Sequence, residues 1–530
     1  MAPALEIGRL AARYRLPARA REDRERLDRV LAALLLDGAL ETAVGTAGAT
    51  PRVEICVRRI HVQVRVRLSQ SDAALGATWS RAIADGIAAA VEDGHPDVVV
   101  YESRVQALVD LVAGVARGDL SRAWAWRQLG LWEPPAAGGG RAAGGALARA
   151  LASEPAAVVG VLRALARRGE LERVIDAVED EGWTTLAAAA LYAADAGDVL
   201  AVRWLEGQPP REGAAAFSGA DGAGPESAGP FRASAASQAA DEPARRRAGS
   251  VLGRSAIAAG GSARARERPD LRRALAVLST LEAEPAAGRD GATVIPLLEA
   301  VEEQLATGTA DRAPEMLAEN GSTSEAHAAP RPDGPEPAAD RSPAEMPDPD
   351  GDAERPLPDV RDRGQTRAGG LLFLLNVVDE LELANELAAD TALGARPLRW
   401  ALHALAAELV PLAAGDPAAL AFAGLGPDAE PPTGGATPPS DGERAAIARA
   451  GASVVARLHE RLDPDGDHAA EDADLLEQIC ARSAEIVADP GWIDVRLSLD
   501  EASIGIRRAG LDLDPGWLPW LGVVVRYVYD

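Results

Sequence analysis

Two stretches of this 530-residue chain, 206–268 and 306–366, hold few large apolar side chains and are rich in Pro, Gly, Ala and Asp. A segment of that kind buries too little apolar surface to offset the entropy of ordering its backbone, which predicts disorder. The first runs through EGQPPREGAAAFSGADGAGPESAGP and the second from TGTADRAPEM to PDVRDRG. A shorter break, PDAEPPTGGATPPSDG, falls within 424–443. Folded cores are thereby confined to an N-terminal block at 1–205, a short helical segment at 269–305 and a C-terminal block at 367–530.

The hydrophobic period changes abruptly inside the N-terminal block. Leu27, Val30, Leu31, Leu34 and Leu35 recur at helical spacing, whereas 52–68, RVEICVRRIHVQVRVRL, alternates. Val53, Ile55 and Val57 share one parity, and Ile60, Val62, Val64, Val66 and Leu68 take the other. The slip at Arg58–Arg59 predicts a bulge or a pair of short strands with arginines on the open face. A helix over 71–92, a strand at 98–101, helices at 103–117 and 119–130, and a helical run over 146–205 follow. PDLRRALAVLSTLEAE and VIPLLEAVEEQL make 269–305 helical. In the C-terminal block AGGLLFLLNVVDELELANEL, RPLRWALHALAAELVPLA, 441–461 and 470–488 read as helices, and WIDVRLSL, SIGIRRAG and VVVRYVY as strands. The expected fold class is α+β and mainly helical, with two folded blocks carrying short antiparallel strands and separated by long disordered linkers.

Composition removes whole classes of chemistry. The 55 basic side chains are all arginine, so no lysine is present for a Walker-type phosphate loop, a pyridoxal Schiff base or a kinase-like ATP site. A formal net charge of −26 argues against nucleic acid and anionic membrane as partners. The acidity is uneven: 306–366 carries a surplus of eight carboxylates, while the first 70 residues set thirteen arginines against eight acids. Cys56 and Cys480 are too few and too far apart for a disulfide framework, and the N-terminus lacks a signal-peptide core. With no apolar run near the ~20 residues of a membrane span, the expectation is a cytoplasmic protein.

The motif search yields no cofactor, metal or catalytic residue. Gly138–Gly145 follows LWEPPAA instead of a strand, so it reads as a flexible linker and not as a dinucleotide loop. The acidic run Asp463–Asp474 has its glycine at position four of a calcium-type loop instead of six, and reads as a solvated loop. The six histidines form no i,i+4 pair. Aromatic residues are scarce and clustered: Trp124, Trp126 and Trp132 lie in SRAWAWRQLGLW, and Trp517 and Trp520 in DLDPGWLPWLG. Such rings either close the edge of a small core or, with Arg58 and Arg59, form a docking surface for another protein, because Trp and Arg dominate interface anchors.

Several of these segments together resemble one family, the tape-measure-named proteins of extracellular contractile injection systems, which are phage-tail-like particles. RVEICVRRIHVQVRV resembles that family's early strand segment. ALVDLVAGVARGDLSRAWAW resembles its helix ending in a Thr-Gly-x-Leu-Pro-Trp type turn, with Arg117-Gly118-Asp119-Leu120 standing in and the tryptophans slightly later. GGLLFLLNVVDELEL resembles its apolar helix without the opening asparagine, and GWIDVRLSLDEASIGIRRAGLDLDPGWLPW its closing strands. The resemblance implies a noncatalytic structural or assembly role, with tube, sheath or baseplate proteins as partners and incorporation into an assembled particle. A simple length ruler wants continuous helix at ~1.5 Å per residue, which the two breaks interrupt. The alternatives from the residues alone are a free cytoplasmic adaptor with two modules on tethers and, behind it, a metal-dependent enzyme using Asp465 and Asp467.

Overall fold

A computed structural model of the protein describes residues 5–16, 21–36, 39–46, 53–135, 140–194, 204–205, 244–289, 291–308, 357–358, 360–394, 396–432, 438–462 and 472–529. Among the described residues the architecture is mainly helical α+β with two sheets. Most of both expected linkers, 206–243 and 309–356, lies outside the described residues, as does 433–437 of the internal loop.

Chain on both sides of the first break builds one core. Buried side chains from Cys56 to Leu305 form a single apolar cluster. Its axis is the helix Pro269–Ala283, which packs against Asp180–Ala193 on one side and Ala256–Ala265 on the other. The linker expected over 206–268 therefore stops short, because 244–254 and Ala256–Ala265 are helices with Val251 and Ile257 fully buried. Their low apolar content mimics a linker, yet small residues let helices approach closely, so little side chain is needed to fill the gap. Segment 269–305 is accordingly part of the N-terminal lobe and not an island.

The same reasoning corrects Gly138–Gly145. Residues Gly140–Ala152 form a helix, and a Cβ placed on Gly144 would stand 1.9 Å from the carbonyl oxygen of Ala177. The glycine serves close helix packing where a flexible linker was expected.

A buried polar network sits where this lobe meets its two-stranded sheet, β1 (Glu54–Val57) antiparallel to β2 (Val98–Tyr101). Asp110, 1% exposed, accepts from the Tyr101 hydroxyl at 2.9 Å, the Trp126 indole at 3.1 Å and Arg122 Nη1 at 3.1 Å. Burial, then the Asp110 charge, pushes the Tyr101 hydroxyl well above its ordinary pKa. A carboxylate held by three donors in a dry core satisfies its acceptors, and its charge is what makes a buried arginine tolerable.

The C-terminal lobe packs helices on a five-stranded sheet of order β3-β4-β5-β7-β6. The strands are β3 (Asp362–Thr366), β4 (Ala484–Asp489), β5 (Trp492–Leu497), β6 (Gly516–Leu518) and β7 (Val523–Tyr529). Neighbours are antiparallel except β5 and β7, which run parallel with Ile493 opposite Val525. Three expectations change here. β3 comes from the end of the expected second linker, recruited because the β4 edge needs a partner. The helix expected over 470–488 ends at Cys480, and Ala484–Asp489 pairs on both edges, so tertiary pairing overrides local propensity. SIGIRRAG holds the short helix Ile504–Arg508 instead of a strand, since both edges of β5 are already taken.

The helix Asp441–Leu462 opens with a capping box: Glu443 N–H donates to Ser440 Oγ at 3.2 Å and Ser440 N–H to Glu443 Oε2 at 2.6 Å. Arg396 Nε also donates to Glu443 Oε1 at 2.6 Å.

Replacing Asp110 by Ala removes the buried acceptor shared by the Tyr101 hydroxyl, the Trp126 indole and Arg122 and should cost ~3–5 kcal/mol in urea unfolding; a loss below ~1 kcal/mol would show that the network is dispensable. Glu443 gives a pH-resolved test. The bond from Arg396, then the Ser440 backbone, pulls its pKa from an ordinary 4.5 down to about 2. A depressed folded pKa contributes stability in full above 4.5 that fades as pH falls toward 2. The Glu443→Gln protein should be less stable than the parent at neutral pH, with the difference shrinking across that acid window in chemical denaturation.

Candidate functional site

The strongest candidate surface is built by the period change read from the sequence. β1 pairs with β2 from Glu54 opposite Tyr101 to Val57 opposite Val98, and Arg58 N–H still reaches Asp97 O at 2.7 Å. Beyond Arg58 the chain stays extended but leaves the ladder. Ile60, Val62, Val64, Val66 and Leu68 turn inward and are half-buried, while His61, Gln63, Arg65 and Arg67 are exposed. The inward Val64, Val66 and Leu68 rest on a small separate core of Leu27, Val30, Leu34, Leu40, Leu75 and Trp79.

Both ends of this segment are pinned. Arg58 Nε donates to Asp97 Oδ1 at 2.6 Å at one end. At the other, Gln70 N–H closes a turn on Arg67 O at 3.0 Å and Arg26 Nη1 holds Leu68 O at 2.7 Å. Between them, among the described residues, the backbone of 59–66 makes no hydrogen bond. The expected second strand is thus a strand in shape without a partner. Extended N–H and C=O groups held open in this way are a template for an incoming strand. The side chains of Arg59, Arg65 and Arg67 form no ion pair among the described residues, so the edge is positively charged.

The tryptophans divide by depth. Trp126, Trp132 and Trp520 are 0%, 3% and 2% exposed, so these three are core residues and not docking anchors. Trp126 is drawn in by Asp110, and Trp520 Nε1 donates to Asp379 Oδ1 at 2.8 Å. Trp124 is half-buried with the Arg58 guanidinium 5.9 Å over its ring, so Arg58 serves its own lobe while Arg59 faces solvent. Trp517, also half-buried, donates its indole N–H to Ala193 O at 2.7 Å and so ties the C-terminal lobe to the N-terminal one. A ring that is one residue's spacing from another in sequence faces core or surface according to helix phase, which composition does not reveal.

Among the described residues no group of three or more metal-ligating side chains occurs, and 463–471 of the acidic loop lies outside them. His459 Nε2 meets Asp472 Oδ1 at 2.8 Å in an exposed pair. Burial pushes the Cys56 and Cys480 thiols up to about 12, which leaves them protonated and poorly nucleophilic at neutral pH. No single described helix is long and apolar enough to cross a membrane.

Sequence periodicity gave no reason to single out Arg163, Arg361 or Arg399, which all lie where the lobes join. The available signal is slight: Arg163 interrupts the apolar run VVGVLRALAR, and Arg361 follows a proline-rich stretch. No family model, curated protein or solved structure matches this chain.

Proposed function

We propose that this protein is a noncatalytic structural or assembly component of an extracellular contractile injection particle, and that it engages a tube, sheath or baseplate protein by strand addition along residues 59–66. The observation that carries the reading is the extended backbone of 59–66, anchored at both ends and without a hydrogen-bond partner among the described residues. The resemblance of four segments to the tape-measure-named family supplies the particle context. An incoming strand would draw affinity from main-chain hydrogen bonds and selectivity from the arginines beside them. The favoured partner segment is therefore extended and acidic.

The alternative of a free adaptor with two tethered modules gains its avidity from modules that move independently. Arg361 argues against such freedom, since it bonds Asp489 of the C-terminal sheet and Glu102 of the N-terminal lobe together.

Affinity capture from cells that make the particle, read by mass spectrometry, tests the proposal. The parent protein should retain sheath, tube or baseplate components. Gln63→Pro removes one backbone donor while leaving the inward apolar face intact, and it should lower capture roughly tenfold, the equivalent of one or two hydrogen bonds. Arg65→Glu combined with Arg67→Glu should weaken capture further at low salt. Absence of particle proteins from the parent sample, or equal capture by Gln63→Pro, would sink the reading.

A further inference from the structure

We infer that the seam between the two lobes is a binding site for a phosphate-type oxyanion, held by Arg163 and Arg167 of the N-terminal lobe against the β4–β5 turn. The helix Val158–Arg167 approaches that turn so closely that a Cβ on Gly160 would lie 2.6 Å from Pro490 O. One turn further on, the same helix face carries Arg163, and one turn beyond that Arg167. Both line a solvent-open cavity of about 170 Å³ that is also lined by Gly424–Gly426 and Asp489–Gly491. Arg163 also lines a second space of about 40 Å³, shared with Glu282, Arg399 and Trp517.

The cationic groups here outnumber the acceptors free to serve them. Arg163 and Arg167 make no hydrogen bond or ion pair among the described residues. Arg399 donates Nη1 to Glu282 O at 3.0 Å, but its Nε is shielded and has no partner. The nearby acids are largely committed elsewhere. Asp489 receives Arg361 at 3.1 and 2.7 Å. Glu282 accepts from Ser255 Oγ at 2.5 Å and from the Ala256 and Ile257 N–H groups at 3.2 and 3.1 Å, capping the helix Ala256–Ala265. Asp362 also lines the larger cavity and offsets part of the charge. Burial first, and then the Arg167 charge, both work against the charged form of Arg163. Burial and the Arg163 charge likewise lower Arg399 to about 10.

Like charges at i,i+4 on one helix are unfavourable, and the shielded, partnerless Nε of the neighbouring Arg399 adds to that cost. Arginine does not relieve this by losing its proton at neutral pH. A tetrahedral oxyanion would relieve it. Phosphate is favoured over a single carboxylate because its charge of roughly −1.5 to −2 matches more than one guanidinium, and its oxygens accept several forked N–H donors. The cavity volume equals that of several waters at ~30 Å³ each, which is room for one such group.

Isothermal titration of the full chain with inorganic phosphate and, separately, with glycerol phosphate, in chloride buffer of matched ionic strength, tests the site. At least one probe should bind, and which one binds tells free phosphate from a phosphate monoester. Arg163→Met should weaken that binding by about tenfold or more, the loss of one charge-assisted contact. Arg167→Met, at an exposed position that leaves folding intact, should weaken it in the same direction. Failure of both probes to bind the parent, or binding unaltered in both variants, would overturn the inference.

Discussion

The most shielded ionic tie between the two lobes is one guanidinium, that of Arg361. Arg361 donates to both carboxylate oxygens of Asp489 at 3.1 and 2.7 Å, to Glu102 O at 2.9 Å, and lies 3.1 Å from the Glu102 carboxylate. Its side chain is 10% exposed and that of Asp489 is 7%. Arginine suits this position because its planar fork satisfies a carboxylate bidentately and still has N–H groups left for a third partner. Three residues earlier, Pro358 O accepts from Gln106 Nε2 at 2.9 Å, so the approach to β3 is laid along the N-terminal lobe before it enters the C-terminal sheet. Breaking a shielded pair of this kind typically costs ~3–5 kcal/mol, mostly through the charge left behind.

That tie gives the remaining features their setting. With Arg361 occupying Asp489, the β4–β5 turn presents backbone and no free acid to Arg163, which leaves the seam electropositive. Trp517 reinforces the seam from the other end through Ala193 O. The open strand at 59–66 lies away from it, on the small core of the first hundred residues. Docking a partner at that edge therefore needs no separation of the lobes, and filling the seam with an anion needs no change at the edge.

Much of the secondary structure was legible from period alone. The helices at 72–92, 104–117, 398–409 and 441–462 follow apolar spacing, and VVVY, WIDVRL and VVVRYVY follow β character. The basic unpaired edge was legible too, since the alternation in RVEICVRRIHVQVRVRL and its slip at Arg58–Arg59 mark where β1 ends and the unpaired segment begins. The failures share a cause. Gly140–Ala152 and Ala256–Ala265 have too few large side chains to read as core, because close helix packing replaces side-chain volume with backbone proximity. Ala484–Asp489 and Ile504–Arg508 were assigned the wrong type because strand identity depends on which sheet edges are free.

By itself the sequence determined that this chain is mainly helical with segregated short strands, that lysine-dependent chemistry is absent, and that its N-terminal region is basic within an acidic whole. These properties reside in residue types and local spacing. Only the tertiary structure decided that 244–305 belongs to the N-terminal core, that Trp126, Trp132 and Trp520 are interior while Trp517 bridges the lobes, and that Arg163, Arg361 and Arg399 all lie along the seam between them. The physical reason is that a side chain's charge and size are local, whereas the partners that satisfy or strand it come from chain hundreds of residues away.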